Sequence, residues 1–231
     1  MKKFLLILLT VWCASAAASV PPQCVFENYT TLDGLSHNNI ADIYVDSRGF
    51  VWTCTWYGAN RFDGYDFKSF YADERTPSLS HSRFLDVSED ASGHLWFRTY
   101  DNHIYRFNRY TEQFEDVVSA GGLAGDGNYR VGAMLCDPEG NVWLELRGHG
   151  LLRVRSRADA SPAEVQSFLD EEIVGPEINH IASDGRGAVW VVSRGREICR
   201  LAPSSDGSYR AEHVTAAQEP VSAVAVAGES I

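Results

Sequence analysis

The segment Asp46-Ser-Arg-Gly49-Phe-Val51-Trp52 returns three times along the chain, as Asp90-Ala-Ser-Gly93-His-Leu95-Trp96, Asp137-Pro-Glu-Gly140-Asn-Val142-Trp143 and Asp184-Gly-Arg-Gly187-Ala-Val189-Trp190. The aspartates lie 44, 47 and 47 residues apart, a period that suits four-stranded propeller blades better than helical-pair repeats. Inside each copy the Asp can accept a backbone amide two residues on, and the Gly tolerates positive φ, so the pair marks a tight hairpin. Six and three residues before each Asp stand apolar residues: Ile40 and Ile43, Phe84 and Val87, Val131 and Met134, Ile178 and Ile181. They predict a buried inner strand, apolar on more than one face. The next strand carries Val or Leu and then the Trp, whose area is best used between stacked sheets. Nine or ten residues past each Trp come Arg61-Phe62, Arg106-Phe107, Arg153-Val154 and Arg200-Leu201, the mark of a third strand.

The expected fold is therefore all-β: a β-propeller of about four four-stranded blades with the start of a fifth. Blade one is read as Ile40 to Val45, Phe50 to Thr55, Ala59 to Phe62 and Phe67 to Tyr71, after a strand-like run from Val25 to Tyr29. Blade two follows as Arg83 to Ser88, His94 to Arg98, His103 to Phe107 and Gln113 to Val118. Blade three is Val131 to Cys136, Val142 to Leu146, Leu151 to Arg155 and Val165 to Leu169. Blade four is Ile178 to Ser183, Val189 to Ser193, Ile198 to Leu201 and Tyr209 to Val214, and a fifth inner strand begins at Val221 to Val226. The blades occupy about 36–71, 80–118, 129–169 and 177–214 within a propeller segment 24–231. Propellers close with roughly 4–8 blades, each burying its faces on its neighbours. Unless this is a four-bladed ring, four blades and a fragment leave a naked face, so the expectation is the front part of a longer protein.

The first residues, Met1-Lys2-Lys3, an apolar run from Phe4 to Trp12 and the small residues Ala14 to Ala18, read as a secretory signal peptide over 1–18. The apolar run is far short of the roughly 18 residues that a spanning helix needs. An exported, periplasmic protein is expected. The formal charge is -11, which disfavours nucleic acid and anionic membranes as partners. Helix signals are scarce and no glycine-rich phosphate loop is present. Cys24, Cys54, Cys136 and Cys199 are scattered and read as buried free thiols, because free Cys behaves as a small hydrophobe. Export leaves a disulfide open, with a pairing that spacing cannot assign.

Gly34-Leu35-Ser36-His37-Asn38, Asp46 to Trp52 and Gly58-Ala59-Asn60-Arg61-Phe62-Asp63-Gly64-Tyr65-Asp66-Phe67 resemble the first blade of the two-component regulator propeller repeats. These form the periplasmic sensor region of hybrid two-component proteins in gut Bacteroidetes, and the resemblance covers about residues 24–226. Blade two departs from the pattern with Asp101-Asn102-His103, and Cys54 and Ala59 stand where Gly and Leu are usual. The resemblance implies a longer receptor with a second propeller, a membrane helix that anchors it, a histidine kinase and a homodimeric assembly. It also implies oligosaccharide sensing. The segment itself would be non-enzymatic, with no cofactor. A different reading stays open, because streptogramin lyases and some polysaccharide-cleaving propellers share the Asp-x-x-Gly-x-(Val/Leu)-Trp blade: an exported lyase with a His or Tyr base.

The loops between second and third strands share a face with the blade-to-blade connections, where propellers commonly hold a ligand. They offer Trp56, Tyr57, Tyr100, Asp101, Asn102, Arg147, His149, Arg194 and Arg196, aromatic faces for a sugar ring beside groups that bond hydroxyls or carboxylates. Trp56 stands outside the repeat position, and packing on an adjacent blade is its alternative role. Asp46, Gly49, Trp52, Asp90, Gly93, Trp96, Asp137, Gly140, Trp143, Asp184, Gly187 and Trp190 are expected to be structural. His37 and His81 share one repeat position and read as loop residues. No His/Glu pair has metal-ligand spacing, so no metal site is expected.

Overall fold

The Asp-x-x-Gly turn closes each hairpin in the same way. In the computed structural model, which describes residues 26–73, 78–119, 130–156, 162–169 and 174–222, Asp46 Oδ1 accepts the amides of Arg48 and Phe50 at 2.9 and 3.0 Å. Gly49 sits at φ +86°, where a Cβ would be strained. Asp90, Asp137 and Asp184 repeat both amide bonds. Because these turns are local, each blade assembles in sequence order as an antiparallel sheet. Blade 1 is β1 (Ile40–Val45), β2 (Val51–Thr55), β3 (Gly58–Phe62) and β4 (Phe67–Phe70). Blade 2 is β5 (Phe84–Glu89), β6 (Leu95–Thr99), β7 (His103–Asn108) and β8 (Gln113–Ser119). Blade 3 is β9 (Val131–Cys136), β10 (Asn141–Leu146), β11 (Gly150–Ser156) and β12 (Pro162–Leu169). Blade 4 is β13 (Ile178–Ser183), β14 (Val189–Ser193), β15 (Glu197–Pro203) and β16 (Tyr209–Ala216). Among the described residues there is no α-helix, and no helix long and apolar enough to cross a membrane.

The strand expected up to Tyr29 is not formed by residues 26–29. Thr30 and Asp33 form a reciprocal cap on a single 3-10 turn, Thr31–Asp33, that follows this segment. Tyr29 instead lays its ring on Phe62 and Phe67, with centroids at 5.0 and 5.6 Å. The signal segment 1–18, Val25 and Cys24 lie outside the described residues. So do residues 223–226 of the expected fifth inner strand, while Val221 and Ser222 are irregular.

The first three repeat tryptophans each pack on the following blade. Trp52 meets Phe97 and Phe107 edge-on at 5.5 and 5.2 Å. Trp96 enters a cluster with Val131, Val142 and Leu144 of blade 3, and Trp143 meets Tyr209 of blade 4 at 4.9 Å. All three are 0% exposed. Each indole Nε1 donates at 2.8 Å to Oδ2 of the Asp six residues earlier, so one carboxylate holds both the turn and the inter-blade wedge. Across the sheet every Trp is paired with the third-strand arginine: Trp52 with Arg61, Trp96 with Arg106, Trp143 with Arg153 and Trp190 with Arg200.

Departures from the repeat expectation fall at both ends. Trp190 is partly exposed, and its Nε1 is buried without a partner. On β1, expected to be buried, Ile40, Ile43 and Val45 are 43%, 60% and 62% exposed. Phe84 and Val87, their counterparts on β5, are 0% and 5% exposed in the core between blades 1 and 2. Burial of these positions is supplied by the neighbouring blade; among the described residues none precedes blade 1 or follows blade 4. Cys54, Cys136 and Cys199 are buried and free, and burial pushes all three thiols up, Cys199 to about 11.

Tyr209 ties blade 4 to blade 3. Its hydroxyl donates to Asp137 Oδ2 at 3.5 Å and accepts from Asn141 Nδ2 at 3.2 Å. Burial first, then the charges of Asp137 and Glu139, push the phenol from 10.0 up to about 12. A raised phenol keeps its proton longer in the folded state. Its contribution is fully present below about pH 10 and lost as pH rises through about 12. Alkaline denaturation followed by circular dichroism is expected to show Tyr209→Phe losing less stability than the natural protein across that window; parallel curves would refute the assignment.

Candidate functional site

The first residue of each β2–β3-type turn donates its amide to the carbonyl of the residue just before the inner strand of its own blade: Trp56 to Asn39 O, Tyr100 to Arg83 O, Arg147 to Arg130 O and Arg194 to Glu177 O, at 2.8 to 3.3 Å. Those carbonyls belong to residues seven positions before each repeat Asp. The pairing puts turn side chains and connection side chains on one rim. Just inside, every inner strand carries a bulge, at Ala41, Leu85, Gly132 and Asn179, where the register slips by one residue. A bulge in the same place in all four blades re-aims the rim residues together.

The expected residues all fall on this rim. Tyr100, Asn102 and Arg147 meet around a pocket of about 160 Å³, with Leu85, Arg98 and Arg130. Asn102 holds φ +67° and accepts the Val131 amide through Oδ1 at 3.2 Å, which leaves its amide hydrogens as donors. Trp56 joins through Arg83, a residue absent from the expected set. The Arg83 guanidinium lies 4.6 Å from the Trp56 ring centroid and 4.5 Å from that of Tyr100. Trp56 therefore packs on blade 2 and still remains 49% exposed. Its ring also stacks on His37 at 5.9 Å.

Asp101 is committed inward: Oδ2 accepts from Ser80 Oγ at 2.5 Å and Oδ1 from Thr99 Oγ1 at 2.7 Å. Burial alone would raise its carboxyl, but these bonds and the nearby His103 hold it below the usual 3.8. Tyr57 stacks on Tyr71 at 5.6 Å. Tyr57, His149, Arg194 and Arg196 share the rim but lie outside the pocket. His37 and His81 each accept, through Nδ1, the amide two residues on, at 2.9 and 2.8 Å. Among the described residues no group of His, Cys, Asp or Glu is arranged to hold a metal. Arg83 and Arg130 escaped the sequence reading, although their common place seven residues before the repeat Asp was visible in it.

A larger open cavity, about 690 Å³, lies at the opposite rim among the Asp-x-x-Gly turns and includes Glu89, Asp90 and Asp137. Its carboxylates are already engaged by turn amides, by Ser47 and by Arg109. These carboxylates therefore serve the fold.

Residues 34–57 match the family described as Two component regulator propeller. A 46-residue stretch is 44% identical to Histidine kinase P4 of Formosa agariphila, 20% of this chain and 3% of that protein. The extracellular domain of the hybrid two component system BT4673 from B. thetaiotaomicron is similar at TM-score 0.52 and 20% identity, over 79% of this chain and 32% of that one. PorZ of Porphyromonas gingivalis, a surface component of the type-IX secretion system, is similar at TM-score 0.54 and 17% identity, over 75% and 26%. At these identities the likeness to the two solved structures is one of fold. The chain spans a third or less of the length of each of these relatives.

Proposed function

We propose that this chain is the extracytoplasmic sensor propeller of a two-component receptor, and that it binds an oligosaccharide on the β2–β3 rim. The binding event would reach a histidine kinase elsewhere in a longer protein. In this reading residues 1–18 export the chain to the periplasm, a second propeller and a membrane anchor belong to the remainder, and the receptor works as a homodimer. The observation that carries the proposal is the convergence of Trp56, Tyr100, Asn102 and Arg147 on one rim of a chain with a two-component regulator propeller repeat. Half-exposed aromatic faces stack on the apolar face of a pyranose, and Asn and Arg donors bond its hydroxyls.

Calorimetric titration of the intact protein with an oligosaccharide panel tests this. A ligand at 100 times its Kd would stabilise the fold by about 2.7 kcal/mol, so a thermal shift gives an independent readout. Trp56→Ala is expected to weaken binding about tenfold, equivalent to about 1.4 kcal/mol, with little change in the unliganded melting temperature. Unaltered affinity in both Trp56→Ala and Tyr100→Ala would remove the rim as the site. Cleavage of the sugar during titration, with unsaturated ends appearing, would make the propeller a lyase instead.

A further inference from the structure

We propose that the ligand of this rim is negatively charged, with Arg83 as the centre of a carboxylate- or sulfate-binding subsite; this rests on the saccharide reading and narrows it to acidic sugars. The Arg83 guanidinium lies over the rings of both Trp56 and Tyr100, and its Nε is buried without a hydrogen-bond partner. Among the described residues no carboxylate pairs with it. A guanidinium with a buried, unpaired Nε and no counter-charge is costly. It is also well suited to a planar anion, which can accept two parallel bonds from its free edge.

Beyond Tyr100 the charge continues. Arg130 and Arg147, both exposed, line the 160 Å³ pocket with the donor face of Asn102. Of the other charged groups there, Arg98 is neutralised by Asp86 and bonds the Val131 carbonyl, and Asp101 is turned toward Ser80 and Thr99. Glu145, whose charge Arg147 feels, is half-buried with its carboxyl against Gly132. The volume is well below the roughly 300–1,000 Å³ of a whole-ligand site, so it suits one charged substituent of a larger sugar.

This cationic rim runs against the charge of the chain, which is -11. The repeat carboxylates Asp46, Asp90, Asp137 and Asp184 sit at the opposite end of the blades. A field divided in this way would steer an anion to the arginine rim.

The experiment is titration of the intact chain with three probes: neutral xylo-oligosaccharides, oligogalacturonate or a sulfated disaccharide of similar length, and inorganic sulfate. The acidic sugars are expected to bind at least about tenfold tighter than the neutral ones. That preference should shrink as salt rises from about 0.05 to about 0.5 M. Arg83→Gln should bring the ratio of acidic-sugar to neutral-sugar affinity to about one, whatever it does to both affinities together, and Arg83→Lys should not restore that ratio, because an ammonium can neither stack on two rings nor bond in parallel. If Arg83→Gln proves unstable, Arg130→Gln combined with Arg147→Gln must show the same loss. Equal binding of neutral and acidic sugars would overturn the charge proposal and leave the saccharide reading standing. Sulfate binding as tightly as the acidic sugars would make this an anion site and remove the saccharide reading. No binding by any probe would remove both.

Discussion

Trp52→Ala is expected to destabilise the protein by about 3–5 kcal/mol, the range for a large aromatic deleted from a packed core. Trp190→Ala, at the same place in the repeat, should cost about 1 kcal/mol, a typical value for a point mutation. Trp52 is fully buried at the centre of an aromatic cluster with Phe70, Phe97 and Phe107. Its removal leaves a cavity between two blades and takes one bond from the Asp46 carboxylate. Trp190 is partly exposed, and its indole holds no carboxylate. Urea midpoints of the two variants measure the difference, with m-values checked because repeat proteins can lose cooperativity. Trp52→Phe separates the two effects in blade 1: it keeps most of the packing, and Asp46 Oδ2 retains Arg109. Equal midpoint shifts for Trp52→Ala and Trp190→Ala would show that the intact chain covers Trp190 as fully as Trp52.

Arg109→Met should cost a comparable amount, about 3–5 kcal/mol, by stranding buried charge. Arg109 reaches from blade 2 to Asp46 of blade 1 at 2.7 Å and to Glu89 at 2.8 Å, and its Nε donates to Gly93 O at 2.7 Å. The three side chains are 7%, 0% and 7% exposed, so water cannot replace the lost partner. Adding Asp46→Asn and Glu89→Gln to Arg109→Met should recover much of the loss, because no uncompensated charge then remains. A triple variant no more stable than Arg109→Met would show that packing, and not charge, holds this interface.

The pH dependence has a definite sign. Burial alone would raise the Asp46 carboxyl, but the bonds from Trp52 and Arg109 and from the turn amide outweigh it and hold it below 3.8. A depressed carboxylate contributes stability that is present above about pH 3.8 and is lost as pH falls through its folded value. Without Arg109 the folded value moves back toward 3.8, so the acid-induced loss should be smaller and complete at higher pH.

Much of the fold was legible because its information is local. An Asp that accepts amides two and four residues on, and a Gly that must take positive φ, depend only on neighbouring backbone. The limits of β1, β9, β13 and β14 therefore match their sequence reading. The indole-to-carboxylate bond also spans a fixed six residues, and the repeat spacing alone could have suggested it. Arg109 could not be read this way. It acts on Asp46 from 63 residues away, and no pattern in either segment records the contact. Nor could the sequence separate Trp190 from the other three, since its motif is the same and only its neighbours differ.

The candidate site divides along the same line. Its turn residues were legible from their place between second and third strands. Arg83 and Arg130 were not, because they enter the rim from the blade-to-blade connections and acquire meaning only when two blades lie side by side. What the sequence determined by itself was the blade: its turns, its strands and the residue types along its rim, all set by interactions within a few residues. The tertiary structure alone decided which tryptophans are buried, which carboxylates gain a partner from the next blade, and that one arginine lies over two aromatic rings. Those outcomes depend on packing between repeats, where burial and charge pairing are properties of the neighbour as much as of the residue.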